Sequence, residues 1–156
     1  MKSKKDPTFR RVSVDDTEIL LSLMREYYAY DHLKFDSRAT FKALKNLLAN
    51  ESFGSVWLIE EGDYPVGYFV VTYWYSLEFH GKAAFLDELH IGAGYRGRGI
   101  GKRALAFIHE YCASQGVRAL RVEVENANIH AFSLYNKSGF REHPRHLMTK
   151  WLDDSR

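Results

Sequence analysis

The sequence has a single cysteine, Cys112, among its 156 residues. One cysteine excludes an internal disulfide bond and a zinc site built from several thiolates, and it is typical of a reducing compartment. Cys112 shares a helical face with Leu105 and Ile108, which predicts a small buried side chain and not a nucleophile. We therefore expect a cytoplasmic protein that needs neither a disulfide bond nor a metal ion.

Long apolar runs and a strong charge excess are also missing. No stretch approaches the roughly 18 apolar residues that a membrane-spanning helix requires, so no membrane partner is expected. The formal net charge is only +2, without a basic stripe, which argues against a nucleic-acid partner. Hydrophobic residues make up 46% of the chain, enough for one core, and the length suits a single domain over residues 1–156.

The hydrophobic pattern predicts an alternation of helices and strands. Helices are expected over residues 17–30, 38–50, 99–115 and 128–139, where apolar residues have helical spacing. Strands are expected over residues 8–12, 55–61, 66–76, 83–91, 119–125, 140–143 and 146–152. Ser13 and Asp16 have the spacing of a capping box before the first helix. The order indicates an α/β (α+β) domain on one mixed sheet.

The segment GAGYRGRGIGKR, residues 92–103, has five glycines and three arginines and follows a strand-like run. Glycines at the start of a helix let the backbone approach an anion closely. The unpaired N–H groups of the first helical turn and the positive end of the helix dipole then attract that anion. The segment therefore predicts a phosphate-binding loop, but its glycines allow more than one spacing.

The first spacing, Gly92, Gly94 and Gly97, spells the dinucleotide-binding pattern G-x-G-x-x-G. That pattern opens the first βαβ unit and needs an acid about 20 residues further on. Here three strands and two helices precede it, and the nearest suitable acid, Glu123, lies about 30 residues away. The context therefore argues against a nicotinamide or flavin dinucleotide.

The second spacing is that of a P-loop, and it fails at two required positions. Arg96 stands where the first glycine should be, and Arg103 stands where a hydroxyl should bind magnesium. The third spacing places Gly99 and Gly101 at the first turn of a helix, with Arg96 three residues earlier. This arrangement suits a pyrophosphate held by backbone N–H groups and neighbouring cations.

The third spacing resembles the [QR]-x-x-G-x-[GA] motif of the acyl-CoA-binding segment in the GNAT N-acetyltransferase superfamily. A second motif of that superfamily, N-x-x-A-x-x-L-Y-x-x-x-G-F, matches Asn128, Ala131, Leu134, Tyr135, Gly139 and Phe140 without a gap. The order of elements is similar over nearly the whole chain. The resemblance implies a mixed, mostly antiparallel central sheet of about seven strands flanked by about four helices. It also implies acetyl-CoA as co-substrate and no metal.

The resemblance assigns contacts with CoA to three parts of the chain. They are the loop residues Arg96, Gly97, Arg98, Gly99, Ile100, Gly101 and Lys102, the backbone of Leu89, His90 and Ile91, and the side chains of Asn128 and Tyr135. The backbone of that strand is also expected to receive the oxyanion. Tyr135 matches the tyrosine that faces the thioester sulfur, and its phenol is expected to protonate the departing thiolate.

Acetyl transfer to an amine also needs a base, because an alkylammonium with a pKa near 10.4 is almost fully protonated at pH 7. Asp87 and Glu88 are the two candidates, and the sequence leaves the choice between them open. On a regular strand Asp87 shares a face with Phe85, Leu89 and Ile91, and Glu88 shares the other face with Leu86 and His90. A bulge, usual in this strand of the superfamily, would change these faces.

Aromatic and acidic residues are expected around the acceptor, where they suit a cationic amine. The candidates are Tyr28, Tyr30, Asp31, Trp74 and Glu78. We expect transfer to a primary amine of a small molecule, polyamine-like or amino-sugar-like, because the strand around Asp87 resembles that of diamine acetyltransferases. The alternatives are a peptide or protein amine acetyltransferase and a non-catalytic acyl-CoA-binding regulatory module. The superfamily often forms homodimers, so a second copy is one expected partner.

Overall fold

The computed structural model describes residues 5–153, so residues 1–4 and 154–156 of the predicted domain lie outside it. The helices are α1 (Thr17–Tyr30), α2 (Ser37–Ala49), α3 (Ile100–Ser114) and α4 (Ile129–Lys137). The strands are β1 (Pro7–Arg11), β2 (Gly54–Glu61), β3 (Tyr64–Ser76), β4 (Gly81–Ile91) and β5 (Ala119–Val122). The helices and the first four strands begin and end within two residues of the prediction.

The sheet has the strand order β1-β2-β3-β4-β5. The first four strands are antiparallel neighbours, and β5 runs parallel to β4. On one face Leu20 and Met24 of α1 and Leu44 of α2 pack with Tyr68 of β3. On the other face α3 packs through a stripe that includes Ile108, and half-buried residues of α4 join it. The predicted mixed, mostly antiparallel sheet between helices is confirmed.

The described residues contain five strands where about seven were expected. Residues 140–143 and 146–152, predicted to be strands, are not strands, and every residue from 141 to 153 is exposed. β5 also ends at Val122 and not at residue 125. The hydrophobic pattern predicted strands correctly only where a neighbouring strand supplies backbone hydrogen bonds. Within residues 5–153 the only strand paired with β5 is β4, so its outer edge is open.

β4 carries a bulge at Asp87. Val71 of β3 pairs with Leu86 and Val70 pairs with Glu88, so Asp87 is an extra residue without a partner on β3. On its other side β4 pairs with β5 only as far as Leu86. Bulges bend a strand and increase its twist, so β4 diverges from β5 at this point. In the described part of the chain, the β5-facing edge of residues 87–91 is therefore open.

A buried carboxylate ties β1 to the start of α1. Asp16 accepts hydrogen bonds from the backbone N–H of Ser13 at 2.7 Å and from both terminal nitrogens of Arg10 at 2.9 Å. The Ser13 hydroxyl also donates to it at 3.1 Å. The predicted capping role of these two residues is confirmed. The hydrogen bonds from Arg10 lower the pKa of Asp16 to about 2, against the effect of burial.

Replacing Asp16 with alanine is expected to lower the free energy of unfolding by about 2 kcal/mol, because the variant loses a cap and charged hydrogen bonds. Since the carboxyl has its pKa lowered from 3.8 in the folded state, this contribution is full above pH about 5 and fades as pH falls toward 2. Urea unfolding at several pH values measures it. Asp15→Ala, in the same turn but exposed, is the control, and equal losses in both variants would contradict the assignment.

Candidate active site

The glycine-rich segment forms the turn between β4 and α3. Gly97 and Gly99 have φ angles of 71° and 78°, in the left-handed region that favours glycine. Helix α3 begins directly after Gly99, and no described side chain caps its N-terminus. The first N–H groups of α3 and the positive end of its dipole are thus available to an anion at this turn.

Gly101 brings the two sequence motifs into contact. A Cβ at this position would lie 3.1 Å from Cδ2 of Leu134 on α4, so an added side chain would require the leucine to shift slightly. Asn128 caps α4, because its Oδ1 accepts a hydrogen bond from the N–H of Ala131 at 3.0 Å. The start of α3 therefore lies against Leu134 of α4, beside the diverging strands.

The three arginines of the loop have different partners. Arg98 donates to Glu61 at 2.6 Å, and Arg103 forms an ion pair with Asp6. Arg96 donates from Nε to the carbonyl oxygen of Ile91 at 2.9 Å, and its guanidinium lies 4.0 Å from the centre of the Tyr30 ring. Lys102 is exposed at the first turn of α3. The cations are thus gathered at the loop, but most of them already hold an acid or a carbonyl.

The last residues of β4 lie at the open edge. Leu89 and Ile91 pack toward the core under α3, and His90 is buried on the α1 side, where 2% of it is exposed. His90 Nε2 makes no hydrogen bond with the described residues and lies 3.5 Å from Oε1 of Glu26. Burial lowers the pKa of His90, so the ring is neutral at pH 7 and this contact is not an ion pair.

The bulge overturns part of the face assignment made for β4. Leu86 packs with Leu89 in the core under α3, although it was expected on the opposite face. Phe85 lies on the α1 side, stacked 4.7 Å from Trp74, although it was expected to share a face with Leu89. The prediction was wrong here because an extra residue shifts the two-residue period of the strand. Glu88 and His90 share a face, as expected.

The carboxyl group of Glu88 is held on the α1 side of the sheet. The Tyr68 hydroxyl donates to its Oε1 at 3.0 Å, and the Tyr28 phenol interacts with it too. Burial raises the pKa of Glu88 to about 7, and the hydrogen bond from Tyr68 opposes this rise. Asp87 is exposed at the bulge, although partial desolvation raises its pKa as well. The two candidate bases thus lie in different environments.

Four groups from three elements interact electrostatically around the open edge: Tyr27 and Asp31 at the end of α1, Glu88 on β4 and Tyr135 on α4. We call them the acid–phenol cluster. Burial, and then the charge of Asp31, raises the pKa of Tyr135 to about 12. Burial followed by Asp31, Glu88 and Tyr135 raises the pKa of Tyr27. Both phenols therefore keep their protons at neutral pH.

The structure divides the residues proposed for the acceptor. Asp31 belongs to the acid–phenol cluster, and Tyr28 lies beside it, next to Glu88. Trp74 stacks on Phe85, with Arg121 at 5.8 Å from its ring. Tyr30 lies at the glycine-rich turn, against Arg96. Glu78 forms an ion pair with Arg145 at 3.0 Å.

A large cavity opens next to the cluster, between β5, α4 and the segment after α4. Its volume is about 1040 Å³, and its lining includes Phe85, Glu123, Asn126, Phe132 and Tyr135. The size is that of a pocket for a small molecule or cofactor. Burial raises the pKa of Glu123, and the nearby Asp87 adds to this rise.

Sequence reasoning did not select Glu123 or Tyr68 for this site. Glu123 directly follows β5, at a position that the alternating pattern predicts to face outward. It lines a cavity because β4 and β5 diverge. Tyr68 could have been found by pairing the predicted strands β3 and β4 as a hairpin. That pairing places it opposite His90, on the same face as Glu88.

Residues 5–153 contain neither a cluster of metal-binding side chains nor a helix suited to span a membrane. No group of three or more histidine, cysteine, aspartate or glutamate side chains is arranged to hold a metal ion. No helix within this range has the length and apolar character needed to cross a membrane.

The chain is similar to one family model and to several proteins that are named as N-acetyltransferases. The model of the acetyltransferase (GNAT) family matches residues 17–140. An uncharacterized N-acetyltransferase of Methanocaldococcus jannaschii is 25% identical over 147 residues, which cover 93% of this chain and 64% of that protein. The thialysine N-epsilon-acetyltransferase of Bos taurus is 26% identical over 146 residues, covering 85% of this chain and 83% of that enzyme.

A solved structure agrees with these relatives. An integron cassette protein from the mobile metagenome of Cole Harbour Salt Marsh has a TM-score of 0.83 and 34% sequence identity, covering 93% of this chain and 90% of that one. The family model spans well over half of the chain, including both motifs and the bulged strand. The chain therefore belongs to the acetyltransferase (GNAT) family and is an acyl-CoA-dependent N-acetyltransferase.

Proposed function

We propose that the chain transfers the acetyl group of acetyl-CoA directly to the primary amine of a small cationic molecule. The observation that carries this proposal is that Glu88, whose pKa is raised to about 7, and the protonated phenol of Tyr135 both act on Tyr27 within the acid–phenol cluster. A carboxylate with that pKa can accept a proton at neutral pH, and a phenol can return one. Both are needed for transfer from a thioester to an ammonium ion.

The donor is proposed to lie along the open edge of β4, with its pyrophosphate at the N-terminus of α3. The turn with Gly97 and Gly99 and the first N–H groups of α3, on Ile100, Gly101 and Lys102, would hold the phosphates. The open backbone edge at Leu89, His90 and Ile91, apart from the Ile91 carbonyl that Arg96 holds, would pair with the pantetheine arm, as a strand does. Asn128, at the cap of α4, borders the same space.

The reaction begins with proton removal from the acceptor. Glu88, directly or through a water molecule, takes a proton from the ammonium group, and the free amine attacks the thioester carbonyl. The carbonyl oxygen becomes an oxyanion, which backbone N–H groups of β4 beyond the bulge stabilise. The carbon–sulfur bond then breaks, and the CoA thiolate takes the proton of Tyr135. The acceptor nitrogen, which carries a positive charge after the attack, loses its extra proton to the tyrosinate, and the proton on Glu88 passes to solvent.

Charge around the cluster favours a cationic acceptor. Asp31, Asp87, Glu88 and Glu123 place carboxyl groups at or beside the proposed path of the amine, together with the phenol rings of Tyr27 and Tyr28. Acids and aromatic faces both attract ammonium groups. The bovine relative, by its name, acetylates the ε-nitrogen of thialysine, which supports a small amine as substrate. A peptide or protein amine is the second candidate acceptor.

Measurement of free thiol release from acetyl-CoA across a panel of diamines, amino sugars, amino acids and peptides tests the proposal. We expect turnover with small amines that carry a second cationic group and little turnover with peptides. CoA should raise the melting temperature and NAD should not. Tight binding of acetyl-CoA without thiol release for any amine would support a regulatory binding module and overturn the proposed transfer.

Tyr135→Phe removes only the proposed acid. We expect kcat to fall by about 100-fold or more, because general acid catalysis contributes factors of that size. The dissociation constant for CoA should change by less than about twofold, since the ring and its packing on Phe140 remain. Steady-state kinetics measures the change in kcat, and calorimetry measures the dissociation constant for CoA. Unchanged kcat in a variant that binds CoA normally would remove Tyr135 from the mechanism.

The pH profile distinguishes the two candidate bases. Glu88 must be ionised to act, so kcat/KM should rise with pH through about 7 and level off above it. Glu88→Gln should lower kcat/KM about 100-fold and abolish this limb. Tyr68→Phe should move the limb to higher pH, because the hydrogen bond from Tyr68 lowers the pKa of Glu88.

Asp87→Asn is the matched control for this profile. It should keep the limb and move it to lower pH, because the charge of Asp87 raises the pKa of Glu88. If Asp87→Asn abolishes the limb while Glu88→Gln retains it, Asp87 is the base and the assignment to Glu88 is wrong.

A further inference from the structure

We propose that Tyr30 is a positioning residue for the acyl-CoA donor, which orients Arg96 toward the pyrophosphate, and that it is not a contact of the acceptor. This inference rests on the proposed CoA site at the N-terminus of α3. Tyr30 is the last residue of α1, and 54% of it is exposed, so its ring is not needed to fill the core.

The guanidinium of Arg96 is held on two sides. Its Cζ lies 4.0 Å from the centre of the Tyr30 ring, a close cation–π contact. Its Nε donates to the carbonyl oxygen of Ile91, the last residue of β4, at 2.9 Å. The Tyr30 ring thus covers one face of the guanidinium, and the Ile91 carbonyl binds its Nε. The two terminal nitrogens of Arg96 have no hydrogen-bond or ion-pair partner among residues 5–153. Those nitrogens form the edge of the fork that pairs with phosphate oxygens.

The other two arginines of the loop are engaged differently. Arg98 uses a terminal nitrogen to bind Glu61 at 2.6 Å, and Arg103 uses a terminal nitrogen to bind Asp6. Each ion pair occupies one of the two terminal nitrogens that a bidentate contact with an anion would need. Within the described residues, Arg96 is therefore the loop arginine whose terminal nitrogens remain available, and its orientation depends on Tyr30.

Helix α1 is fixed to the same turn one helical turn before Tyr30. Glu26 accepts a hydrogen bond from the backbone N–H of Ala93 at 3.2 Å and lies next to His90. This contact holds the end of α1 against the turn, so the Tyr30 ring has a defined place over Arg96. An arginine without such support would lose more side-chain entropy when it binds a phosphate.

Calorimetric titration of the full chain with CoA, supported by steady-state kinetics, tests the inference. Tyr30→Leu should raise the dissociation constant for CoA and the KM for acetyl-CoA by about two- to fivefold, the range expected for an exposed cation–π contact. The kcat at saturating donor and the KM for the amine should not change. Tyr30→Phe keeps the ring face and should bind CoA as the wild type does.

A double-mutant cycle separates positioning from other roles. In the Arg96→Ala background, Tyr30→Leu should have no further effect on CoA affinity. Tyr64→Leu, an exposed tyrosine on β3 outside the site, is the control and should bind CoA normally. If Tyr30→Leu does not fold, Tyr30→Gln removes the ring at the same exposed position and replaces it in the cycle.

Three outcomes overturn the inference. They are an equal loss of CoA affinity in both backgrounds, no loss in the wild-type background, and a rise confined to the KM for the amine. The last result would return Tyr30 to the acceptor site. Each of them requires that the wild type binds CoA, so none is confused with failure of the proposed function, in which the wild type does not bind CoA.

Discussion

The divergence of β4 from β5 at the Asp87 bulge is the constraint on which the site depends. Up to Leu86 the two strands share parallel hydrogen bonds, and beyond it the backbone of β4 has an open edge. A continuous sheet would satisfy that edge and leave no space for a thioester. The bulge also turns Glu88 toward α1, while Tyr135 approaches from α4 on the other face. One extra residue thus sets the geometry in which an acid and a base can meet.

The acid–phenol cluster includes a carboxyl group that is poorly solvated by water. Glu88 is surrounded by protein, and a carboxylate in that position is less stable than in water, which is why its pKa rises to about 7. The hydrogen bond from the fully buried Tyr68 limits the rise. Without it, the pKa of Glu88 would be higher. Burial and the hydrogen bonds from Tyr68 and Tyr28 therefore act on this pKa in opposite directions.

The glycine-rich turn combines a binding surface with structural support. Its left-handed glycines leave the start of α3 uncapped, but two of its arginines are bound to acids on β2 and just before β1. Those ion pairs fasten the turn to the body of the protein. Two of the cationic side chains of this loop therefore have a structural role instead of being available to a bound anion. The supporting contacts make the remaining groups of the turn more rigid.

The sequence by itself determined the fold family, most of the elements and the position of the glycine-rich loop. Helical and strand periodicity is a local property, and Arg96, Gly99, Gly101, Asn128 and Tyr135 belong to motifs with fixed spacing. Only the tertiary structure decided which face Phe85 and Leu86 occupy, because a bulge has no signal in the alternation that it interrupts. The tertiary structure also leaves Asp87 more exposed than Glu88. It places the Tyr30 ring against Arg96 of the glycine-rich turn, and it leaves residues 141–153 outside the sheet. These features depend on contacts between residues far apart in the chain, which no local pattern encodes.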